Sequence, residues 1–159
     1  KWRQKIANIK GFKVGINWQG NNRSPAEPFR RLPPTDLEIL SSVEGVAWFS
    51  LQKGLGDENI LKLSDKFRII DTGPEELNET AGLIESLDLI ITSDTAIAHL
   101  AGSLGKPVWI LLHHAPDWRW QMTGSANLWY PSAHLFRQTI PGQWKSVIEE
   151  VFISLRNII

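Results

Sequence analysis

Cysteine is absent from all 159 residues. That excludes disulfides and thiolate metal sites, and it suits a reducing cytoplasm. Net charge is absent as well: seventeen basic and seventeen acidic residues cancel. No bulk field therefore steers the chain toward DNA, RNA or anionic lipid, and any anionic ligand must be held by local chemistry. No apolar run approaches the ~20 residues of a membrane span, and no signal-peptide pattern opens the chain. The expected setting is cytoplasmic. Metal-site spacing is missing too. His113 and His114 are adjacent, but no carboxylate or histidine stands at convincing ligand spacing from them. There is no D-x-D pair, no G-x-x-x-x-G-K-[ST] loop and no G-x-S-x-G elbow. The reading calls for no metal and no cofactor. Sequons at Asn22 and Asn78 read as chance matches without a secretory signal.

What is present describes a globular domain with a real core: 42% hydrophobic and 21% charged residues. The length fits one domain over 1–159, or one half of a two-domain protein. The first residue is Lys1 rather than methionine, so the chain is expected to be a fragment of a longer one.

Short apolar runs alternate with helical patterns. "FKVGINWQG" from Phe12 reads as a strand ending at Gly20, and "NNRSPAEPFRRLPP" after it as a proline-rich loop. Thr35 and Asp36 look like helix starters for "LEILSSV". "VAWFSLQ" is the next strand, "KGLGDENILKL" its loop and "FRIIDTG" a third strand. "PEELNETAGLIESL" from Pro74 carries Leu77, Ala81, Ile84 and Leu87 at helical spacing. Then come "DLIITSD", a helix "TAIAHLAGSLG" closed by Gly105, and a strand "PVWILL". A tryptophan-rich loop from His113, a short strand "AHLFRQ" and an amphipathic helix "QWKSVIEEVFISLRNI" complete the chain. Continuous apolar strands separated by helices predict a doubly wound α/β domain with a parallel sheet.

In such sheets ligands bind outside the carboxyl ends of the strands. The residues placed there are Trp18 to Gly20, Gln52 to Gly56, Asp71 to Gly73, Asp94 to Thr95, and His113 onward. The joint at Asp94 stands out. A helix beginning at Thr95 offers unpaired N–H groups and the positive end of its dipole, which suits phosphate. Thr95 and His99 share a face near that end, and Ala96, Ala98, Ala101 and Gly102 are small enough for close approach. Spacing alone leaves a plain alternative open: an N-cap at Asp94 or Thr95, and a core histidine.

Other candidates carry less. "KGLGDEN" lacks the third glycine of a dinucleotide loop. Lys53 can pair with phosphate, though a solvated loop lysine is the commoner outcome. Arg23, Arg30 and Arg31 lie within reach of the same crevice. Trp118, Trp120, Trp129 and Tyr130 can stack on a base or sugar, but eight tryptophans in a small domain more often cover the core.

"SDTAIAHLAGSLGKPVWILL" resembles the donor-binding motif of heptosyltransferase-type glycosyltransferases, glycosyltransferase family 9. "VGINWQGN", "FSLQKG" and "APDWRWQ…LWYPSAHLFRQ…GQW" are similar to bacterial proteins in which such a domain follows tetratricopeptide repeats. The resemblance runs through nearly the whole chain in order. It implies the C-terminal, donor-binding half of a GT-B architecture of two Rossmann-like halves, with the acceptor and the catalytic base supplied by an N-terminal half. It implies a nucleoside-diphosphate sugar donor and metal-independent transfer, with the isolated domain inactive. By the same resemblance Asp94, Thr95, Ala96 and His99 lie at the diphosphate, His99 aiding the leaving phosphate. Trp18 and Gln19 line the crevice floor, Gln52 and Lys53 approach the nucleoside or phosphate, and Arg31 stands in for a basic residue after the first strand. Ala96 departs from the family's glycine and adds a methyl group where the diphosphate approaches. Two other readings remain: a non-catalytic interaction module beside repeats, and a sugar-nucleotide epimerase of the same architecture.

Overall fold

The computed structural model describes residues 1–53, 67–71 and 76–159. The proposed loop glycines Gly54 and Gly56, the helix start at Pro74, and Thr72 with Gly73 lie outside the described residues. Among the described residues six strands form one parallel sheet in the order β3-β2-β1-β4-β5-β6. They are β1 (Phe12–Asn17), β2 (Val46–Ser50), β3 (Ile69–Ile70), β4 (Leu89–Ser93), β5 (Val108–Leu112) and β6 (Ala133–Arg137). The order reverses between β1 and β4, which pair directly from Val14↔Leu89 to Asn17↔Thr92. That reversal opens the crevice where doubly wound sheets bind ligands.

The central strands β1, β4 and β5 are largely apolar on both faces because both faces are covered. Val14, Ile16, Leu89, Ile91 and Leu111 turn toward one core, with Val147, Ile148, Val151 and Leu155 of α6 (Trp144–Ile158). Ile90, Val108, Ile110 and Leu112 turn to the other, with Leu83 and Ile84 of α4 (Leu77–Glu85) and Ala98 and Ala101 of α5 (Ala96–Ser103). Each fully buried leucine or isoleucine contributes about 2 kcal/mol, so both layers anchor the strand ends firmly.

Three short elements differ from expectation. A four-residue helix α1 spans Trp2–Lys5 and buries Trp2. The proline-rich stretch expected as loop contains a helical turn, α2 (Glu27–Arg30), with Pro28 in its first turn, where a missing N–H costs nothing. The next helix, α3, begins at Pro34 rather than at Thr35 or Asp36. It is Pro34–Leu37, continued as a 3₁₀ turn over Glu38–Ser42, and no side chain caps it. Proline's fixed φ does the starting that a cap was expected to do.

Candidate functional site

β1, β2 and β4 deliver Asn17, Gln52 and Thr92 to one point, and these residues knit the crevice together. Asn17 Nδ2 donates to Gln52 Oε1 at 3.0 Å and to the Gln19 carbonyl at 3.3 Å. Gln52 Oε1 also accepts the Trp18 and Gln19 N–H groups, and its Nε2 donates to the Gln19 carbonyl at 3.1 Å. On the other side, Asn17 Oδ1 accepts from Thr95 Oγ1 at 2.9 Å and from Thr92 Oγ1 at 3.2 Å. Thr95 is the N-cap of α5, its hydroxyl accepting the Ile97 N–H at 3.2 Å. The cap reading is therefore correct for Thr95, and its hydroxyl is fully occupied.

Around this network lies a pocket of about 670 Å³. Gln19, Lys53, Asp94, Thr95, Ala96 and His99 all line it, together with Arg30 and Arg119. Asp94 is buried and, among the described residues, its carboxylate accepts no hydrogen bond. Ala96 is exposed at the helix start, and its N–H has no partner among the described residues. The other small residues serve packing instead of ligand approach. Ala98 and Ala101 are fully buried, and a Cβ on Gly102 would sit 2.4 Å from the Tyr130 ring. Gly102 is what lets Tyr130, the chain's one tyrosine, lie against α5.

Tyr130 in turn fixes His99. Its hydroxyl is 3.0 Å from His99 Nδ1, and the imidazole stacks on Trp120 with centroids 5.0 Å apart. With the phenol donating to Nδ1, the proton resides on Nε2, which is left for a ligand. Burial holds the His99 pKa below the ordinary imidazole value, Asp94 partly offsetting it and Arg119 reinforcing it. The shift favours the neutral imidazole, which in this tautomer offers Nε2–H to a ligand. The loop carrying Tyr130 is itself clamped. Asn127 donates to the Arg119 carbonyl at 2.9 Å and accepts the Trp129 and Tyr130 N–H groups. Arg137, at the end of β6, donates to the carbonyls of Trp120, Gln121 and Gly124.

Three expected residues stand elsewhere. Trp18 is 1% exposed and packs in the core beneath the crevice instead of lining it. Gln52 is buried and holds the β1 loop in place. Arg31 lines a neighbouring depression, and Arg30 takes its place here, paired to the buried Glu27 at 2.8 Å. Glu27 also accepts the Gly20 N–H at 2.7 Å, and a Cβ on Gly20 would meet its carboxylate at 2.9 Å. Asp71 is exposed, and neither it nor Arg23 lines the pocket. Of the tryptophans, Trp2, Trp18, Trp48, Trp120 and Trp144 are buried, while Trp118 and Trp129 are exposed and meet edge to face at 6.2 Å. Asn17, Glu27, Asn127 and Arg137 were not foreseen. Each is polar and buried or half-buried at a strand end, in a loop or, for Glu27, at the start of α2, a state the sequence marks by no pattern. Among the described residues no group of three or more His, Asp or Glu side chains could hold a metal ion, and no helix is long and apolar enough to cross a membrane.

Residues 56–141 match the family model for glycosyltransferase family 9 (heptosyltransferase). Protein FlbA of Caulobacter vibrioides is 28% identical over 98% of this chain, which spans 27% of FlbA. Two solved structures share the fold at 14% identity. One is a glycosyl transferase family 9 protein from Veillonella parvula, with TM-score 0.61, covering 98% of this chain and 46% of its own. The other is the E. coli heptosyltransferase WaaC with ADP, with TM-score 0.65, covering 98% and 47%. The chain thus spans under half the length of these relatives.

Proposed function

The chain belongs to glycosyltransferase family 9, and from that membership we propose that it is the donor-binding half of a metal-independent glycosyltransferase, seating a nucleoside-diphosphate sugar in the pocket at the start of α5. The observation that carries this reading is the open Ala96 N–H at the Thr95-capped start of α5 facing one pocket with the His99 imidazole. When the bond between the anomeric carbon and the diphosphate breaks, negative charge collects on the leaving oxygen. The α5 dipole, the Ala96 N–H, the His99 Nε2–H and the Lys53 ammonium supply fixed positive potential there, which lowers the barrier without reorganisation. That WaaC has been solved with ADP adds support at the family level.

The structure reshapes the proposed roles. Thr95 acts by fixing the helix start, since its hydroxyl is spent on the cap and on Asn17. Gln52 acts at one remove, by holding the Gln19 backbone. Asp94 stands where a diphosphate would be repelled if it came too near, so it sets the outer limit of the phosphate seat and leaves its oxygens for hydroxyl groups. The acceptor and the base that deprotonates it belong to a second half. The reading extends to a longer, cytoplasmic protein in which residues 1–159 form one domain, with tetratricopeptide repeats elsewhere in the chain.

Calorimetric titration with uridine, guanosine and adenosine diphosphates tests the proposal. One of them is expected to bind, and His99→Ala to weaken it about tenfold, the worth of one charge-assisted hydrogen bond. Thr95→Val is expected to weaken it by a similar factor. If no nucleotide or nucleotide sugar binds, either to this chain or to the longer protein, the donor reading is lost and the interaction-module reading stands. Product analysis with the longer protein separates transfer from epimerisation.

A further inference from the structure

On the far side of Gln19 lies a second depression of about 870 Å³, within the range of small-molecule sites. Among the described residues Gln19 is the one side chain common to both linings. The chemistry is otherwise different. Among the described residues no carboxylate lines this depression, whereas Arg31, His113, His114 and Gln138 do, against apolar walls that include Phe29 and Trp144.

Two of these groups lack partners that their chemistry calls for. Gln138 is 4% exposed, its Oε1 accepts the Gly142 N–H at 3.1 Å, and its buried Nε2 has no hydrogen-bond partner among the described residues. The bond from Gly142 fixes which end of the amide is the acceptor, so the unpaired end is the donor. A buried amide N–H left unpaired is costly, and a ligand oxygen is one way to recover that cost. Arg31 is exposed, and among the described residues its guanidinium meets no carboxylate. Its planar fork suits two oxygens of one anion. Phe29, exposed to 65%, offers an aromatic face on the rim. Burial keeps His113 below the ordinary imidazole pKa, so Arg31 is the permanent positive charge in the lining.

We propose that this depression binds an organic anion, a carboxylate or phosphate carried on a ring or other apolar body, between Arg31 and Gln138. The site is separate from the donor pocket and stands whether or not that pocket takes a nucleotide.

Phenylacetate and phenyl phosphate are the probes, titrated into this chain by ligand-observed NMR, with inorganic phosphate and benzyl alcohol as controls. At least one aromatic anion is expected to saturate, about tenfold more tightly than either control, because charge and apolar contact must both contribute. Binding of phenyl phosphate alone assigns the head group as phosphate, and binding of phenylacetate alone as carboxylate. Arg31→Met is expected to weaken binding about tenfold, the worth of one ion-paired contact. Gln138→Glu keeps the acceptor for Gly142 and puts a carboxylate where the donor was, and it is expected to abolish binding. Arg31 is exposed, so its variant decides the matter even where the Gln138 variant does not fold. The proposal is overturned if neither probe saturates, if Arg31→Met leaves affinity unchanged, or if a nucleoside diphosphate competes with the probe for one site. Nucleotide titration of the same sample reports on the donor pocket independently.

Discussion

The two depressions beside Gln19 solve the problem of buried polar groups in opposite ways. In the donor pocket nearly every hydroxyl and amide is already paired: Asn17 serves Gln52, Gln19, Thr92 and Thr95 at once. Among the described residues, what remains open there is the Ala96 N–H, one imidazole nitrogen and the Asp94 carboxylate. In the neighbouring depression the Gln138 Nε2 has no partner among the described residues. A saturated network makes a rigid seat whose shape does not wait for a ligand, whereas an unsaturated one costs stability until something fills it.

The sharpest way to break this contrast is Asn17→Ala. It leaves Thr95 and Gln52 short of a partner and is expected to cost about 3 kcal/mol, lowering the melting temperature by about 6–12 °C. Nucleotide affinity should fall with it, while phenyl-anion binding beyond Gln19 survives. Calorimetric melting and the two titrations read this. An unchanged melting point would mean that the network does not support the seat.

Gly102→Ala attacks the same pocket from the far face of α5. Its methyl would overlap the Tyr130 ring, at an expected cost of about 1–3 kcal/mol. His99 then loses its hydroxyl partner, so nucleotide affinity drops a few-fold and the histidine's NMR titration moves. A variant melting like the parent, with an unaltered His99 titration, would contradict the packing described.

The smallest effect is with pH. His99 lines one depression and His113 the other, and burial lowers the pKa of both. For an imidazole whose folded pKa is depressed, the unfolded chain binds more protons between the two values. Stability is therefore complete above about pH 6.5 and is lost as pH falls through the folded pKa. Both groups are half exposed, so the loss should be slight. A nucleoside diphosphate should raise the His99 pKa and leave His113 nearly still. A larger shift at His113 would put the diphosphate on the wrong side of Gln19.

Much of this was legible in the sequence. Uninterrupted runs such as "VWILL" and "LIIT" can only be strands covered on both faces, and Thr95 ahead of a small-residue helix marks a helix start at a strand end. Side-chain direction was less legible. Arg30 and Arg31 are neighbours, yet one faces each depression, because they leave a helical turn that the proline-rich composition of the loop concealed. Trp18 and Gln52 are at the expected strand ends but point inward, a choice decided by packing around Leu32 and by the Gln19 backbone. Glu27, within the stretch expected as a loop, is the buried partner of Arg30.

Arg137 has a consequence for the order in which the pocket can be completed. Its guanidinium closes the aromatic loop from 13 to 17 residues downstream of the carbonyls it grips. A chain leaving the ribosome presents Asn17, Thr95 and His99 long before that clasp exists. Until the sixth strand is made, the loop that sets Tyr130 against the imidazole has the Asn127 bonds but lacks the Arg137 clasp. The seat is therefore begun by the first strand and finished by the last, and a nascent chain cut short before Arg137 would own every residue of the pocket without owning the pocket.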